Sequence, residues 1–308
     1  MKQDFLTKNG IAAVWLAREF LSLKAGDKIE TIGEYAEVFD LGRGTIQTAL
    51  KYLEDNGAIL LDARGHLGTY IVKLDYKILW KLGGYSIISG VMPLPYSRRY
   101  EGLATGLYKV FETENIPFNM AYLQGSERRI AALQNGKYDF AIMSMLAANH
   151  NIKAGKDIKV TVDFGPNTNV SSHCVIFSDP SRFQIEDGMK VALDSTSIDH
   201  CLLTKHECQS KKVEYVGTAY NQIIFNLIHQ KIDAAVWNLD EIQDRNLNLK
   251  YYPLQNQTGI PDTDNTRAVL VVPKDKGAIQ KIIQRFVDSE KVCQIQQAVL
   301  KNEILPEY

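Results

Sequence analysis

The sequence predicts a multi-domain protein: a small helical domain ending in a two-stranded hairpin, then a larger α/β domain of two lobes. Three observations predict it. The first quarter of the chain carries three segments of helical apolar periodicity, followed by two short β-prone runs around a glycine turn. After Gly83-Gly84 the pattern changes to strands alternating with helices. That second pattern occurs twice. At 308 residues there is room for about two domains of ~150 residues each.

The helical domain is predicted over residues 1–73. Ile11, Val14, Trp15, Leu16, Phe20 and Leu23 fall on one face of a helix that stops near Gly26. A second helix runs from about Ile32 to Phe39, with Tyr35, Ala36 and Phe39 inward. The tight turn Leu41-Gly42-Arg43-Gly44 separates it from a third, roughly Thr45 to Asn56, whose inner face is Ile46, Ala49, Leu50 and Leu53. Gly57 stands where a left-handed cap belongs. Ile59 to Leu61 and Thr69 to Val72 are two strands flanking a turn. Three helices and such a hairpin make a winged helix-turn-helix. Its third helix can enter a DNA major groove by its N-terminal end. Arg43, Thr45, Gln47 and Thr48 sit at that end, Lys51 lies one turn on, and Arg64 and His66 occupy the wing turn. Arg suits guanine edges and Gln adenine edges.

These residues resemble the GntR-type winged helix. The resemblance lies in Gly26, the run Leu41-Gly42-Arg43-Gly44-Thr45-Ile46-Gln47-Thr48-Ala49-Leu50, Leu53, Gly57 and the wing Gly65-His66-Leu67-Gly68-Thr69-Tyr70-Ile71. Two positions depart from that pattern. Glu30-Thr31-Ile32 stands for the usual Leu-Pro, and Gln47 stands for the second arginine; the DNA sequence preference is thereby left open. Through Asp75 there are nine basic and eleven acidic residues, a net of -2. Affinity for DNA comes largely from phosphate neutralisation. A homodimer, which doubles the contacts, is therefore expected. A winged helix used only for protein contacts is the competing reading.

Residues 74–84 read as a partly helical linker, and 85–308 as the α/β domain. Tyr85 to Met92, Phe118 to Leu123 and Asp139 to Met143 read as strands, and Ser97 to Glu114 and Glu127 to Asn135 as helices. This alternation argues for a parallel sheet. The echo is between Ala121-Tyr122-Leu123-Gln124-Gly125-Ser126 with Lys137-Tyr138-Asp139 to Ser144, and Tyr215-Val216-Gly217-Thr218-Ala219 with Lys231-Ile232-Asp233 to Asn238. Lobe 1 is assigned to 85–172 plus 268–308 and lobe 2 to 179–266. Ser172 to Ser178 and Arg267 to Pro273 are read as a two-stranded hinge between them, and Gly277 to Leu300 as a helical tail on lobe 1.

The order of these segments resembles the type II periplasmic-binding-protein fold, as in the effector domains of LysR-type regulators. Joined to the winged helix, it resembles the YhfZ-type transcriptional regulators over nearly the full chain. Ligands in open α/β sheets bind at carboxyl ends of strands. Ser195, Thr196 and Ser197 open a helix there, where free N–H groups suit a carboxylate or phosphate. Ser97, Arg98 and Arg99 open the first helix of lobe 1, where an arginine could fork onto a carboxylate. Gln124, Gly125 and Ser144 end strands of lobe 1; Thr218, Tyr220 and Asn238 end strands of lobe 2. Each Ser or Thr could equally be an ordinary helix cap.

The expected partners are double-stranded DNA and a small polar or anionic metabolite. No cofactor is expected. A net charge of -1 gives no global pull toward nucleic acid or membrane. The apolar run Ile11 to Leu16 is followed by Arg18 and Glu19, which suits neither a secretory segment nor a membrane span; the expected location is cytoplasmic. Cys174, Cys201, Cys208 and Cys293 lack the spacing of a zinc or redox motif. In the cluster His200, Cys201, His206 and Cys208, the two histidines would point to different helix faces, so no metal is expected. No His or Cys pairs with a carboxylate at a strand end, so no enzyme is expected.

Overall fold

The computed structural model describes residues 7–85, 87–255 and 263–308. Lys2 and Asp4, which enter the charge count above, and Ser86, near the start of the strand expected from Tyr85, lie outside them. The chain forms two compact units. The first runs through Ile88 and takes in Val110–Asn119 and Gly277–Phe286. The second comprises Ser89–Lys109, Met120–Lys276 and Val287–Tyr308.

In the first unit, α1 (Lys8–Phe20) is capped by Thr7, whose hydroxyl accepts from Gly10 N–H. Helix α2 (Ile32–Val38) starts at a reciprocal capping box between Thr31 and Glu34, a device worth ~1 kcal/mol. Asp40 takes a left-handed φ of 52° and reverses the chain. Helix α3 (Arg43–Asp55) then begins at Gly42. Leu16, Phe20, Ile46 and Leu53 are fully buried between the helices, each contributing about 1.5–3 kcal/mol. The wing is β1 (Ile59–Ala63) antiparallel to β2 (Thr69–Leu74), joined by the 3-10 turn Gly65–Leu67. Lys28 bridges to Tyr70 on its outer side. Residues 74–84, expected as a linker, hold α4 (Tyr76–Leu82), with Leu79 and Trp80 buried and the Arg18 guanidinium donating to Gly83 O at 2.7 Å.

The second unit contains most of the two lobes; Ile88, Val110–Asn119 and Gly277–Phe286 group with the first. The strands of the first are β3 (Ile88–Met92), β4 (Phe118–Tyr122), β5 (Phe140–Ser144), β6 (Ile158–Asp163) and β12 (Ala268–Pro273), in the order β4-β3-β5-β12-β6. Those of the second are β7 (His173–Phe177), β8 (Lys190–Leu193), β9 (Glu214–Gly217), β10 (Ala234–Asn238) and β11 (Tyr251–Pro253), in the order β9-β8-β10-β7-β11. The two orders correspond strand for strand. The helices are α5 (Arg98–Thr113), α6 (Ser126–Gln134), α7 (Met145–Lys153), α8 (Ile198–Glu207), α9 (Ile223–Ile228), α10 (Leu239–Asp244), α11 (Gly277–Phe286) and α12 (Ser289–Leu300). The sequence repeat is structural. Asp139 donates its N–H to Ser89 O, and its carboxylate takes the Ser89 N–H at 2.9 Å. Asp233 makes the same pair of bonds to Lys190.

Two expectations need correction. The sheets are mixed, not parallel: β3 and β5 are parallel, as are β8, β9 and β10, but β12 runs antiparallel to β5 and β7 antiparallel to β10. Each of these two strands enters its sheet after the chain has crossed from the other lobe, so it arrives from the opposite end. For the same reason neither is a hinge strand. The crossing is made by residues 164–172 and 254–267, of which 256–262 lie outside the described residues. Asn169 N–H donates to Thr266 O at 2.8 Å and the Asn169 amide donates to Asn265 O at 2.9 Å. The helical tail is α11 and α12, the first grouped with the first unit and the second with the second. Gly106 of α5 lets α12 approach closely; a Cβ there would lie 2.8 Å from Val292 O. Among the described residues no helix is long and apolar enough to cross a membrane.

Candidate functional site

On the helix-turn-helix, Arg43, Gln47, Thr48 and Lys51 are exposed on α3, and Thr45 is half-buried. The Arg43 guanidinium lies against Gly33 of α2, where even a methyl group would sit 3.4 Å from its Nη2. Thr48 Oγ1 donates back to Gly44 O at 2.8 Å, so its hydroxyl proton is used within the helix. Gln47 and Lys51 line a groove of about 630 Å³ together with Gly65 and Gly68 of the wing. Glu30, Glu54 and Asp55 line the same groove. Arg64 on the wing pairs with Asp62 at 2.7 Å and lies over the Tyr70 ring at 4.6 Å. His66 is exposed at the wing turn.

Between the lobes of the second unit lies a cavity of about 70 Å³. It is far smaller than a typical drug-sized pocket, and the lobes around it are closed. Ser144 Oγ donates to Asp199 Oδ1 at 2.6 Å, and Ile198 N–H donates to Ser126 Oγ at 3.4 Å. Gly125 (φ 82°) abuts the opposite lobe; a Cβ there would lie 2.7 Å from Thr196 O.

Six of the predicted ligand residues line this cavity: Gln124, Gly125, Ser144, Ser197, Tyr220 and Asn238. Ser195, Thr196 and Thr218 line a neighbouring depression of about 320 Å³ instead. Two of the N–H groups expected to receive an anion, those of Thr196 and Ser197, are taken by the protein. The Asp194 carboxylate accepts from Thr196 N, Thr196 Oγ1 and Tyr220 N at 2.7–3.0 Å, and Ser197 Oγ caps α8 at His200 N. Ser97 is buried and lies outside the cavity lining, as do Arg98 and Arg99. Arg98 donates to Val299 O and Asn302 Oδ1 and pairs with Glu101. Arg99 crosses the cleft to Asp240 at 3.1 Å. Both arginines therefore hold structure together.

The cationic group that does reach the cavity is Arg129, in the first turn of α6. It is 5% exposed, spends Nη1 on Leu123 O at 2.8 Å and leaves Nε without a partner among the described residues. Burial lowers its pKa to about 10, with Tyr100 and Asp199 opposing. Asp199, from the other lobe, is raised to about 6 by desolvation, against the Ser144 hydrogen bond and Arg129. It keeps intermediate surface accessibility despite that desolvation, as befits a carboxyl that faces an enclosed cavity. His173 and His200 are both held down near 4, chiefly by burial. Trp237 stacks on Tyr220 at 4.1 Å, and Tyr96 stacks on Tyr220 at 5.7 Å.

Arg129, Asp199, His173, His200 and Tyr100 were not among the residues expected from sequence. Arg129 sits in a charged run, Glu127-Arg128-Arg129, where helical phase alone could separate the inward arginine from the outward one. Asp199 lies two residues beyond the predicted Ser195-Thr196-Ser197, and His200 sat within the cluster weighed for metal.

Residues 75–308 match the family model described as the YhfZ C-terminal domain, and residues 24–71 match a helix-turn-helix domain model. The YhfZ protein of Escherichia coli (strain K12) is 33% identical over 309 residues, covering all of both chains. A crystal structure of YhfZ from Shigella flexneri superimposes with a TM-score of 0.61 at 31% identity, covering 75% of this chain and 97% of that one. The alkanesulfonate-binding protein SsuA from Xanthomonas axonopodis pv. citri, bound to MOPS, superimposes with a TM-score of 0.52 at 12% identity. That match covers 70% of this chain and 75% of the other, and it is a likeness of fold alone.

Proposed function

The chain belongs to the YhfZ family, and from that premise we propose that it is a DNA-binding transcriptional regulator. In this reading its two-lobed domain takes a small polar or anionic effector between the lobes and thereby alters operator affinity. One observation carries the reading. A helix-turn-helix with exposed Arg43, Gln47 and Lys51 shares a chain with a closed cleft whose polar cavity contains a buried, incompletely partnered arginine. The cavity binds and does not transform its ligand. Such a regulator acts in the cytoplasm, on double-stranded DNA.

The protein works as a homodimer. A net charge of -2 in residues 1–75 gives one copy few phosphate contacts, and paired half-sites one helical turn apart supply the rest. Coupling between effector and operator is typically 1–3 kcal/mol, about 5–150-fold in affinity. Selection of bound sequences from a random DNA pool, followed by anisotropy titrations with and without hits from a thermal-shift screen of carboxylates, phosphates and sugars, tests the proposal. An enriched sequence whose affinity moves with a hit supports it. A hit that leaves DNA affinity unchanged at every salt concentration defeats the coupling.

A second reading is a ligand-binding interaction module without DNA activity. The acidic lining of the groove between α3 and the wing favours it. Failure to enrich any DNA sequence, with ligand binding intact, would select it.

A further inference from the structure

The cavity holds two opposite charges that do not meet. Arg129 enters from the first lobe and Asp199 from the second, and both line it. Each feels the other's field. Yet among the described residues Arg129 takes part in no ion pair. The other acids around the cleft are engaged: Asp240 holds Arg99, Glu241 holds Arg245 at 2.6 Å, and Asp194 holds the start of α8 and Tyr220. Among the described residues the Asp199 carboxyl has only the Ser144 hydroxyl. A buried charge is costly unless paired and hydrogen-bonded, so this is an ion pair divided by a cavity.

Resting on the cleft reading above, we propose that the ligand class is a small zwitterion, an α-amino acid or close analogue, with its carboxylate on Arg129 and its ammonium on Asp199. A purely anionic ligand would satisfy Arg129 and set like charge against Asp199 at low dielectric. A purely cationic one would do the reverse. A neutral one would leave both charges unmatched. A zwitterion completes both without adding net charge.

Two further buried donors belong to residues that line the same cavity. Trp237 Nε1 is buried without a partner among the described residues, and indole nitrogen only donates. His200 Nδ1 accepts the Asp194 N–H at 3.2 Å, which assigns the proton of the neutral ring to Nε2. The Val236 backbone favours the charged ring, but no hydrogen bond of normal geometry forms at Nε2. Three donors, from Arg129, Trp237 and His200, thus belong to residues lining one cavity. The volume of about 70 Å³ limits the closed form to a ligand of few heavy atoms, since a water occupies roughly 30 Å³.

The test uses the full-length protein and a thermal-shift panel of the proteinogenic amino acids, followed by calorimetric titration of the best of them. Its desamino form, which is only anionic, and its carboxamide, which is only cationic, are titrated beside it; neither is larger than the amino acid. The amino acid should raise Tm, and both singly charged forms should bind about 100-fold more weakly or worse, because each leaves a buried charge unmatched. Asp199→Asn should remove most of the discrimination between the amino acid and its desamino form. Arg129→Lys, which keeps the charge and loses the fork, should weaken both. Equal binding of the desamino form to the unaltered protein would overturn the proposal. So would an Asp199→Asn variant that weakens both ligands by the same factor, or a panel in which no amino acid raises Tm at millimolar concentration. A ligand that is not a zwitterion but shifts DNA affinity would sink this inference and leave the regulator intact. A zwitterion bound with the expected selectivity that leaves DNA affinity unchanged would do the opposite.

Discussion

Ser144 Oγ, at the end of β5, donates a 2.6 Å hydrogen bond to Asp199 Oδ1 in α8, and the two residues come from opposite lobes. The same hydroxyl oxygen accepts from Ala147 N–H at 2.9 Å as the cap of α7. Ser144→Ala removes both bonds. The interlobe bond, made to an ionisable group, is worth about 1.5–3 kcal/mol, and the cap ~1 kcal/mol. The variant should show a lower Tm and a larger radius of gyration by small-angle scattering. An unchanged radius would mean that this bond does not hold the cleft shut.

Gly125→Ala should wedge the lobes apart. The new Cβ would lie 2.6 Å from Thr196 Oγ1 and 2.7 Å from Thr196 O, and the second of these is backbone that cannot swing away. The φ of 82° adds strain of about 1–3 kcal/mol for any residue with a side chain. Closure should suffer more than folding, so effector affinity should fall at least tenfold while Tm drops modestly. Full affinity in this variant would show that the ligand site tolerates an open cleft.

Asp199→Asn should stabilise the protein in the absence of any ligand. The folded carboxyl is raised from 3.8 to about 6. Its cost to stability is therefore fully present above pH 6, declines as pH falls, and is gone below 3.8. At about 1.36 kcal/mol per pH unit the gain at pH 7 is at most about 3 kcal/mol. Urea denaturation at pH 7.5 and pH 4 reads it directly. The difference between the two proteins should shrink toward zero at the lower pH.

His173 and His200 act with the opposite sign. Their folded values lie near 4 against an ordinary 6.5, so the unfolded chain binds protons first on acidification. Their contribution is intact above pH 6.5 and is lost as pH falls toward 4, with Asp240 near His173 and Asp194 near His200 softening the loss. Two imidazoles outweigh one carboxyl, so Tm should fall between pH 6.5 and 4.5. It should fall more steeply in Asp199→Asn, which lacks the compensating proton uptake. A flat profile in that variant would contradict the burial of the pair.

Arg43→Ala should weaken operator binding by about 1–3 kcal/mol, the scale of a lost base contact. Arg64→Ala should do less, because its charge is already shared with Asp62. Asp62→Asn should tighten DNA binding and steepen its salt dependence by freeing Arg64 for phosphate. Anisotropy titrations across a salt series separate the three. Identical curves for Arg43→Ala and the unaltered protein would remove α3 from the interface.

The helix-turn-helix was legible because its signals are local. The apolar phase of its helices, the glycine after the third and the glycine-flanked wing are each decided by residues within a few positions of one another; the Thr31–Glu34 capping box went unread, and the reversal falls at Asp40, so that α3 already includes Arg43 and Gly44 of the expected turn. The duplication of the α/β lobes was legible for the same reason: Asp139 and Asp233 both clasp the neighbouring parallel strand from a Lys-x-Asp corner. Strand direction was not local. Whether β7 and β12 run with or against their neighbours depends on which lobe the chain has just left, and a strand's own residues read the same either way.

The chemistry of the cleft divides along the same line. The sequence by itself determined that polar strand ends, Gln124, Ser144, Tyr220 and Asn238, would gather between two lobes, because strand polarity and the repeat place them there. Only the tertiary structure decided which charges would remain for a ligand. Arg99 looked free along the chain but finds Asp240 in space, and Arg98, with Glu101 three residues on, is drawn to Val299 and Asn302; the N–H groups of Thr196 and Ser197 looked open but are filled by Asp194. Arg129 and Asp199, 70 positions apart, face one cavity without touching. Pairing is a matter of a few ångströms between side chains brought together by folding, and no spacing along a chain encodes that distance.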